Sequence, residues 1–177
     1  MSRNIKFIVI IFFILIIFLI FLKGLQNPNS YLPNNTLKKF DTNFNAKILY
    51  GNKEISLKDV IEKDKISIIN IWSSWCLPCK EEHTYLLDLK NTGINIIGIN
   101  YKDKKNNAKS FLNDLGNPYS VVLIDQDGTK SIELGAIGVP ETYLINGKTN
   151  KIIKKYFGPL DNIKFKEIIK ILENENI

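Results

Sequence analysis

The chain has 177 residues, a formal net charge of +6, 45% hydrophobic residues and 24% charged residues. This length favours one ordinary domain with a short appendage, and the composition is typical of a folded chain. The positive charge does not indicate nucleic-acid binding, because the lysines alternate with Asp and Glu and form no arginine-rich or aromatic-interleaved basic patch. Two cysteines are too few for a secreted domain held together by several disulfides.

An unbroken apolar run covers residues 7–22, and at about 1.5 Å per residue it spans roughly 24 Å. The wider segment 5–25 reaches about 31 Å, which matches the roughly 30 Å hydrocarbon core of a bilayer. A retained transmembrane anchor is favoured over a cleaved signal peptide, because no Ala-x-Ala-like site follows the run. Arg3 and Lys6 precede the run, so we expect residues 1–4 in the cytoplasm and the remainder beyond the inner membrane, in the periplasm.

A linker containing Pro and Asn is predicted at 26–36, and the rest of the chain, 37–177, is predicted to form one domain. Ser56 and Asp59 have the spacing of a capping box, which predicts the start of a short helix. In chain order, the predicted elements are a hairpin of 47–50 with 54–55, a short helix over 57–61, a strand at 66–72, a helix ending near 89, a strand at 94–99, a helix at 106–115, a strand at 121–124, a turn at 125–128, a hairpin of 142–145 with 152–156, and a helix at 164–172.

This order of elements predicts an α/β fold with a mixed central sheet and helices on both faces. Strands joined through helices are expected to be parallel, because a helical crossover returns the chain to the same end of the sheet. The last two strands are joined by a short Asn-Gly turn and are therefore expected to be antiparallel.

Cys76 and Cys79 stand where the strand at 66–72 passes into a helix, which is the arrangement of the redox pair in the thioredoxin fold. A helix N-terminus provides unpaired N–H donors and a positive dipole end, which lower the pKa of a cysteine and favour its thiolate. Cys76 is therefore predicted to be the attacking thiol, and Cys79, one turn later, the resolving thiol. A zinc or copper site is the alternative, but only His83 lies nearby as a third ligand, so we expect neither a metal nor a cofactor.

Two glutamates are candidate proton acceptors for the buried thiol. Asn70 occupies the position, six residues before the first cysteine, where thioredoxins usually carry an aspartate, and an amide cannot accept that proton. Glu82 lies at i+3 from Cys79, and Glu141 directly follows Pro140, so either carboxylate is a candidate replacement with a pKa raised by partial burial. The alternative is that Glu82 is solvated and Glu141 only ends a loop.

Pro140 immediately precedes a predicted strand, where a proline is otherwise unfavourable. We expect a cis-proline that faces the active-site helix, with Val139 offering its backbone to a substrate as a short strand pairing. A trans-proline in an ordinary loop is the alternative.

Four segments carry a more specific resemblance: 72–83 (WSSWCLPCKEEH), 98–103 (GINYKD), 115–119 (LGNPY) and 138–143 (GVPETY). Together they resemble the DsbE/CcmG type of thiol–disulfide interchange protein, the membrane-tethered thioredoxins of cytochrome c maturation. The resemblance runs from about residue 37 to about residue 160. It implies a redox-active Cys76–Cys79 disulfide, and it places the family's acidic residues at Glu82 and Glu141. Substrate contacts are expected from Trp75, Val139 and Pro140.

The resemblance also implies a particular activity and particular partners. The expected protein is a periplasmic reductant of the haem-binding cysteines of apocytochrome c, or of a partner thiol protein, and it is itself reduced by a DsbD/CcdA-type membrane carrier. We expect a monomer with no nucleic-acid partner. A broader periplasmic reductase of the TlpA/ResA kind remains an alternative, as does, less favoured, a copper or zinc chaperone. Leu77 and Pro78 carry no positive group to over-stabilise the thiolate, so a reducing couple is expected.

Overall fold

The computed structural model describes residues 3–26 and 42–175, and the chain divides into two compact units, Met1–Thr36 and Leu37–Ile177. Except for Gln26, the predicted linker lies outside the described residues. The described part of the first unit is helix α1, Arg3–Gln26. Its stretch Ile5–Lys23 has a mean hydropathy of 3.4, so by length and composition this helix can cross a membrane. The helix therefore fits the predicted anchor.

The second unit alternates strands and helices. Its elements are β1 (Asn45–Lys47), β2 (Glu54–Ser56), α2 (Leu57–Val60), β3 (Ile66–Trp72), α3 (Leu77–Asn91), β4 (Asn95–Tyr101), α4 (Lys105–Leu115), β5 (Val121–Asp125), α5 (Thr129–Glu133), β6 (Glu141–Asn146), β7 (Lys151–Phe157) and α6 (Asn162–Glu175). The central sheet has the strand order β5-β4-β3-β6-β7. Strands β3, β4 and β5 are parallel, whereas β6 is antiparallel to both β3 and β7. The predicted mixed sheet is confirmed.

The central strand β3 is covered on both faces, which explains its nearly continuous apolar sequence. Ile68 and Trp72 belong to one buried cluster, which includes residues of α3, α4 and α6. Ile69 and Ile71 belong to a second buried cluster, which includes residues of β1 and α2 and Leu134 after α5. The long helices therefore lie on one face of the sheet, and shorter elements cover the other.

The predicted capping box does not form. Ser56 is the N-cap residue of α2, but its side chain makes no capping hydrogen bond. Ser56 is also the last residue of β2, where it pairs with Asn45, so its extended backbone is set by the strand pairing. The helix that follows has only four residues and ends at Val60, because Ile61 is already extended.

The first hairpin is displaced from its predicted position. Strand β1 covers Asn45–Lys47, and the next residue, Ile48, forms an antiparallel bridge with Leu123 of β5. The Leu49 N–H donates to the Val122 carbonyl at 2.9 Å. β5 is an edge strand of the central sheet, so this pairing provides hydrogen-bond partners for backbone groups that would otherwise be unpaired. This long-range pairing, and not the local turn, determines where β1 ends.

Helix α5 was not predicted, because five residues are too few to show a helical period. The carboxylate of Asp125 holds its first turn. Its Oδ2 accepts from the Ser131 N–H at 2.8 Å and from the Ser131 hydroxyl at 2.6 Å, and its Oδ1 accepts from the Lys130 N–H at 3.2 Å. Asp125 thus ends β5 and also satisfies the N-terminal donors of the next helix.

Gly98 of β4 is required by close packing, and Gly98→Ala is expected to lower the free energy of unfolding by about 1–3 kcal/mol. A Cβ at this position would lie 2.9 Å from the Trp72 Nε1 and from ring atoms of Tyr119. Urea unfolding followed by tryptophan fluorescence measures the change. Gly138→Ala is the matched control, since no atom lies within 4 Å of its Cβ position. Equal stabilities of the two variants would contradict this account.

Candidate active site

The two cysteines are joined in a disulfide at the N-terminus of α3, with 5.3 Å between their Cα atoms. Cys76 is the N-cap residue, and Pro78 lies in the first turn, where its missing N–H costs little. The Cys79 N–H donates to the Cys76 Sγ at 3.1 Å. When the disulfide is reduced, the same N–H is placed to stabilise a thiolate at Cys76.

The two sulfurs differ in their access to the surface. A shallow depression of about 270 Å³ is lined by Cys76 but not by Cys79. Two large apolar side chains beside it are exposed, Trp75 at 59% and Leu77 at 67%. An incoming disulfide would therefore meet Cys76 first. The other lining residues are Ser74, Lys80, Phe111, Asp114 and Leu115.

Trp75 and the turn before Cys76 are held by the loop that follows β4. The Trp75 Nε1–H donates to the Lys102 carbonyl at 3.0 Å. The carboxylate of Asp103 accepts from the Ser74 N–H at 2.7 Å and from the Ser74 hydroxyl at 2.8 Å. The Asn100 amide donates to the same carboxylate at 3.0 Å. Asp103 lies within the GINYKD segment that carries part of the resemblance, but no local pattern predicts its role, because its partners Ser74 and Asn100 are brought to it by the fold.

The Val139–Pro140 peptide bond is cis, as predicted. Pro140 immediately precedes β6, whose first residue, Glu141, pairs with Ile71 of β3. Because β3 leads directly into the turn before Cys76, the cis-proline and the disulfide lie at the same end of the strands, the one where β3 finishes. Val139 packs against the buried cluster that contains both cysteines. A substrate contact by Val139 and Pro140 remains a prediction.

Glu82 is fully buried in α3, one turn after Cys79. Its Oε1 accepts from the Asn70 Nδ2 at 2.8 Å, and its Oε2 accepts from the Leu160 N–H at 2.8 Å. Burial raises the pKa of Glu82 to about 7, although these two hydrogen bonds and the positive charge of Lys164 act in the opposite direction. A carboxyl with such a pKa can exchange a proton with a thiol near neutral pH.

Glu141 is also buried, but its carboxylate is used differently. Its Oε1 accepts from the N–H groups of Ile137 and Gly138, at 2.7 and 3.1 Å. Its Oε2 accepts from the Tyr143 hydroxyl at 2.9 Å and lies 2.8 Å from the Lys155 ammonium. This carboxylate thus secures the loop that precedes Pro140. The structure separates the two predicted glutamates, with Glu82 on the cysteine helix and Glu141 against the proline loop.

Removal of the Glu141 charge is expected to destabilise the domain. Glu141→Gln leaves the Lys155 ammonium, whose side chain is 17% exposed, without its ion pair, and the expected loss in unfolding free energy is about 2–3 kcal/mol. Urea unfolding measures it. Glu167→Gln is the matched control, because its ion pair with Lys154 is exposed and is worth less than about 1 kcal/mol. Equal losses in the two variants would show that the buried ion pair of Glu141 with Lys155 does not stabilise the domain.

His83, the third ligand of the alternative metal site, is turned toward a backbone carbonyl. Its Nε2 lies 2.9 Å from the Gly116 carbonyl oxygen, and since a carbonyl only accepts, Nε2 carries the proton. Burial lowers the pKa of His83. Within residues 3–26 and 42–175, no group of three or more His, Cys, Asp and Glu side chains is arranged to hold a metal ion.

A disulfide at the N-terminus of the helix after the central strand, at the same end of the sheet as a cis-proline, defines the class of thioredoxin-like redox proteins. The model of the Redoxin family matches residues 29–172. A thiol:disulfide interchange protein DsbE from Pseudomonas fluorescens is 34% identical over 145 residues, which cover 82% of this chain and 80% of that protein. The chain therefore belongs to the Redoxin family and, within it, to the DsbE-type thiol:disulfide interchange proteins.

Other relatives are more similar over a shorter stretch. CycY of Rhizobium leguminosarum, a thiol:disulfide interchange protein, is 45% identical over 113 residues, which cover 63% of this chain and 60% of that protein. DsbE of Escherichia coli K12 is 44% identical over 115 residues, which cover 64% of this chain and 61% of that protein. The chain thus spans about three fifths of the length of these two relatives. A DsbE crystal structure from Chlorobium tepidum shares the fold, with a TM-score of 0.66 and 22% identity over 79% of this chain and 99% of that chain.

Proposed function

We propose that this protein is a membrane-anchored thiol–disulfide oxidoreductase that reduces disulfides of client proteins. One arrangement carries the proposal: a disulfide caps helix α3 at the end of the sheet where the cis-proline also lies. Cys76 lines a surface depression, and the buried carboxyl of Glu82 lies one turn after Cys79 on the same helix. The family membership supports the same chemistry. No cofactor is needed, because the electrons are carried by the two sulfurs.

The reaction balances with the residues of this site. The Cys76 thiolate attacks a client disulfide, forms a mixed disulfide and releases the first client thiolate. Glu82 takes the proton of the Cys79 thiol, and the resulting thiolate attacks the Cys76 Sγ. The second client thiolate then leaves, and the Cys76–Cys79 disulfide is restored. Each client sulfur gains one electron, and each leaves as a thiolate that takes a proton from solvent.

The proposed client is apocytochrome c with oxidised haem-binding cysteines, or a partner thiol protein of the same maturation process. A DsbD/CcdA-type membrane carrier is the proposed source of electrons. The segment 5–25 is the proposed anchor, with residues 1–4 in the cytoplasm and a monomeric domain, 37–177, in the periplasm. The resemblance of four segments to DsbE/CcmG proteins supports these assignments, as do the names of the curated relatives. A reducing couple is expected, so a potential near −120 mV, typical of the oxidant DsbA, would count against the proposal.

A strain that lacks the protein tests the client class. We expect loss of holo-cytochrome c, restored when a small reducing thiol is added to the medium. The broader reductase would be favoured if holo-cytochrome c stayed normal while fewer copper sites were assembled or oxidised periplasmic proteins accumulated generally. Stoichiometric copper or zinc bound to the reduced protein would favour the metal chaperone.

Labelling in intact cells tests the proposed topology, because Cys76 and Cys79 are the only cysteines of the chain. After mild reduction, a membrane-impermeant maleimide is expected to label them in spheroplasts without lysis. Labelling that appears only after lysis would place the domain on the cytoplasmic side and contradict the proposed orientation.

A further inference from the structure

The LGNPY segment, which the proposed function leaves without a role, ends in a buried tyrosine hydroxyl. Tyr119 is only 5% exposed, and its hydroxyl donates to the Asn70 Oδ1 at 2.8 Å. Its ring stacks on Trp72, with 5.4 Å between ring centroids and 18° between planes. The Tyr119 N–H donates to the Asn117 Oδ1 at 3.0 Å. Both the ring and the backbone of Tyr119 are therefore fixed.

The rest of the segment is attached to the cysteine helix α3. His83 donates to the Gly116 carbonyl at 2.9 Å, and the Lys90 ammonium donates to the Asn117 carbonyl at 2.8 Å. Gly116 has a φ of +90°, which a residue with a side chain rarely adopts. The segment is thus held against the helix that carries Cys79 and Glu82.

The Asn70 amide connects this hydroxyl to Glu82. An amide has one accepting end and one donating end. The Tyr119 O–H occupies the accepting end, so the donating Nδ2 faces the Glu82 Oε1 at 2.8 Å and the Thr142 Oγ1 at 3.1 Å. If the amide turned over, Oδ1 would face the carboxyl and could accept only from its protonated form. The orientation of this amide therefore decides which form of Glu82 is favoured.

The groups around Glu82 come from several elements. β3 provides Asn70, the loop before α6 provides the Leu160 N–H, and α6 provides Lys164, while Cys79 lies one turn earlier on the same helix as Glu82. Tyr119 acts from the segment before β5, and its own pKa is raised well above the usual value, by burial first and then by the nearby Glu82 charge. Tyr119 therefore keeps its proton and remains a donor to Asn70 at every working pH.

We propose that Tyr119 is a positioning residue for the redox reaction, since it locks the Asn70 amide with its nitrogen toward Glu82 and thereby favours the carboxylate that accepts the Cys79 proton. This inference rests on the proposed function, because it concerns the proton transfer of that reaction. It also gives the LGNPY segment a role, which is to deliver one O–H group to a buried amide 49 positions away in the chain.

Tyr119→Phe removes this O–H and keeps the ring. In the full chain in detergent micelles, the Glu82 carboxyl carbon is titrated by NMR, and the rate at which the reduced protein reduces oxidised glutathione is measured across pH. The Glu82 midpoint is expected to rise by about 0.5–1 pH unit, because the unlocked amide can present Oδ1 to the protonated acid. The pH profile of the exchange rate is expected to shift in the same direction.

Two further variants make the result specific. Tyr156→Phe is the matched control, because this tyrosine is also buried. The pKa of its hydroxyl is raised by burial first and then by Glu167, and Glu82 does not contribute. Its Glu82 midpoint should equal that of the wild type. In the Asn70→Ala background, Tyr119→Phe should cause no additional shift, since the connecting amide is gone.

An unchanged or lowered midpoint in Tyr119→Phe would overturn the inference, and so would a full shift that persists in the Asn70→Ala background. These results are distinguishable from a failure of the proposed function. If the proposed function were wrong, the wild-type protein would not reduce oxidised glutathione at any pH, whatever the Glu82 midpoint.

Discussion

Cys76→Ser is expected to abolish disulfide exchange, with a loss of at least about a thousandfold in rate, because no other thiol lines the surface depression. Cys79→Ser is expected to behave differently. Cys76 can still attack, but without a resolving thiol the mixed disulfide persists. The measurement is the amount of client-linked protein on non-reducing gels after alkylation of intact cells.

The pair of variants forms its own control, since each removes one sulfur from the same disulfide. Mixed disulfides should accumulate with Cys79→Ser and be absent with Cys76→Ser. Accumulation with Cys76→Ser alone would reverse the two roles and make Cys79 the attacking thiol. The trapped partners would also identify the client of the protein in cells.

Glu82→Gln is expected to remove a pH dependence from the stability of the protein. In the unfolded chain this carboxyl ionises around its ordinary pKa of 4.5, whereas in the folded domain it ionises only at about 7. Between these values the folded state binds the extra proton, so the contribution is fully present below pH 4.5 and is lost as pH rises through 7. From pH 5 to pH 8, the oxidised wild type should lose about 2–3 kcal/mol more unfolding free energy than the variant.

Denaturant unfolding at several pH values measures this difference, because both tryptophans of the chain lie within four residues of Cys76 and report on the domain. Glu81→Gln is the matched control, as Glu81 is the exposed neighbour of Glu82 on the same helix. It should retain the wild-type pH dependence. A wild-type stability that does not fall between pH 5 and pH 8 would show that Glu82 is not held protonated by burial.

The same substitution should slow the redox reaction. Without a carboxylate one turn from Cys79, the resolving thiol must lose its proton to water, and general-base catalysis of this kind contributes about a hundredfold or more. Resolution of a preformed mixed disulfide should therefore be slower in Glu82→Gln at pH 7, whereas the initial attack by Cys76 should change little. Equal resolution rates across neutral pH would remove Glu82 from the mechanism.

The predictable parts of the fold were those with a strong local signal. Residues 66–72 are apolar except for Ser67 and Asn70, and they form β3 with the predicted bounds. The Asn-Gly turn at 146–147 correctly predicted an antiparallel hairpin. Helix α5 was not predicted, because its first turn is held by the carboxylate of Asp125 in β5. The end of β1 was not predicted either, because it is set by the bridge between Ile48 and Leu123 at the edge strand β5. Their causes lie in contacts and not in the local pattern.

The sequence by itself determined the apolar helix, the placement of Cys76 and Cys79 between a strand and a helix, and the presence of two candidate glutamates. It could not assign them different environments. The Leu160 N–H that donates to Glu82 lies 78 positions away, and the Asn70 amide that also donates to Glu82 lies 12 positions away, on β3. Glu141 instead meets the loop before Pro140 and the Lys155 ammonium. Only packing of the sheet and helices decides such partners, because burial and hydrogen bonding arise between segments that no local pattern connects.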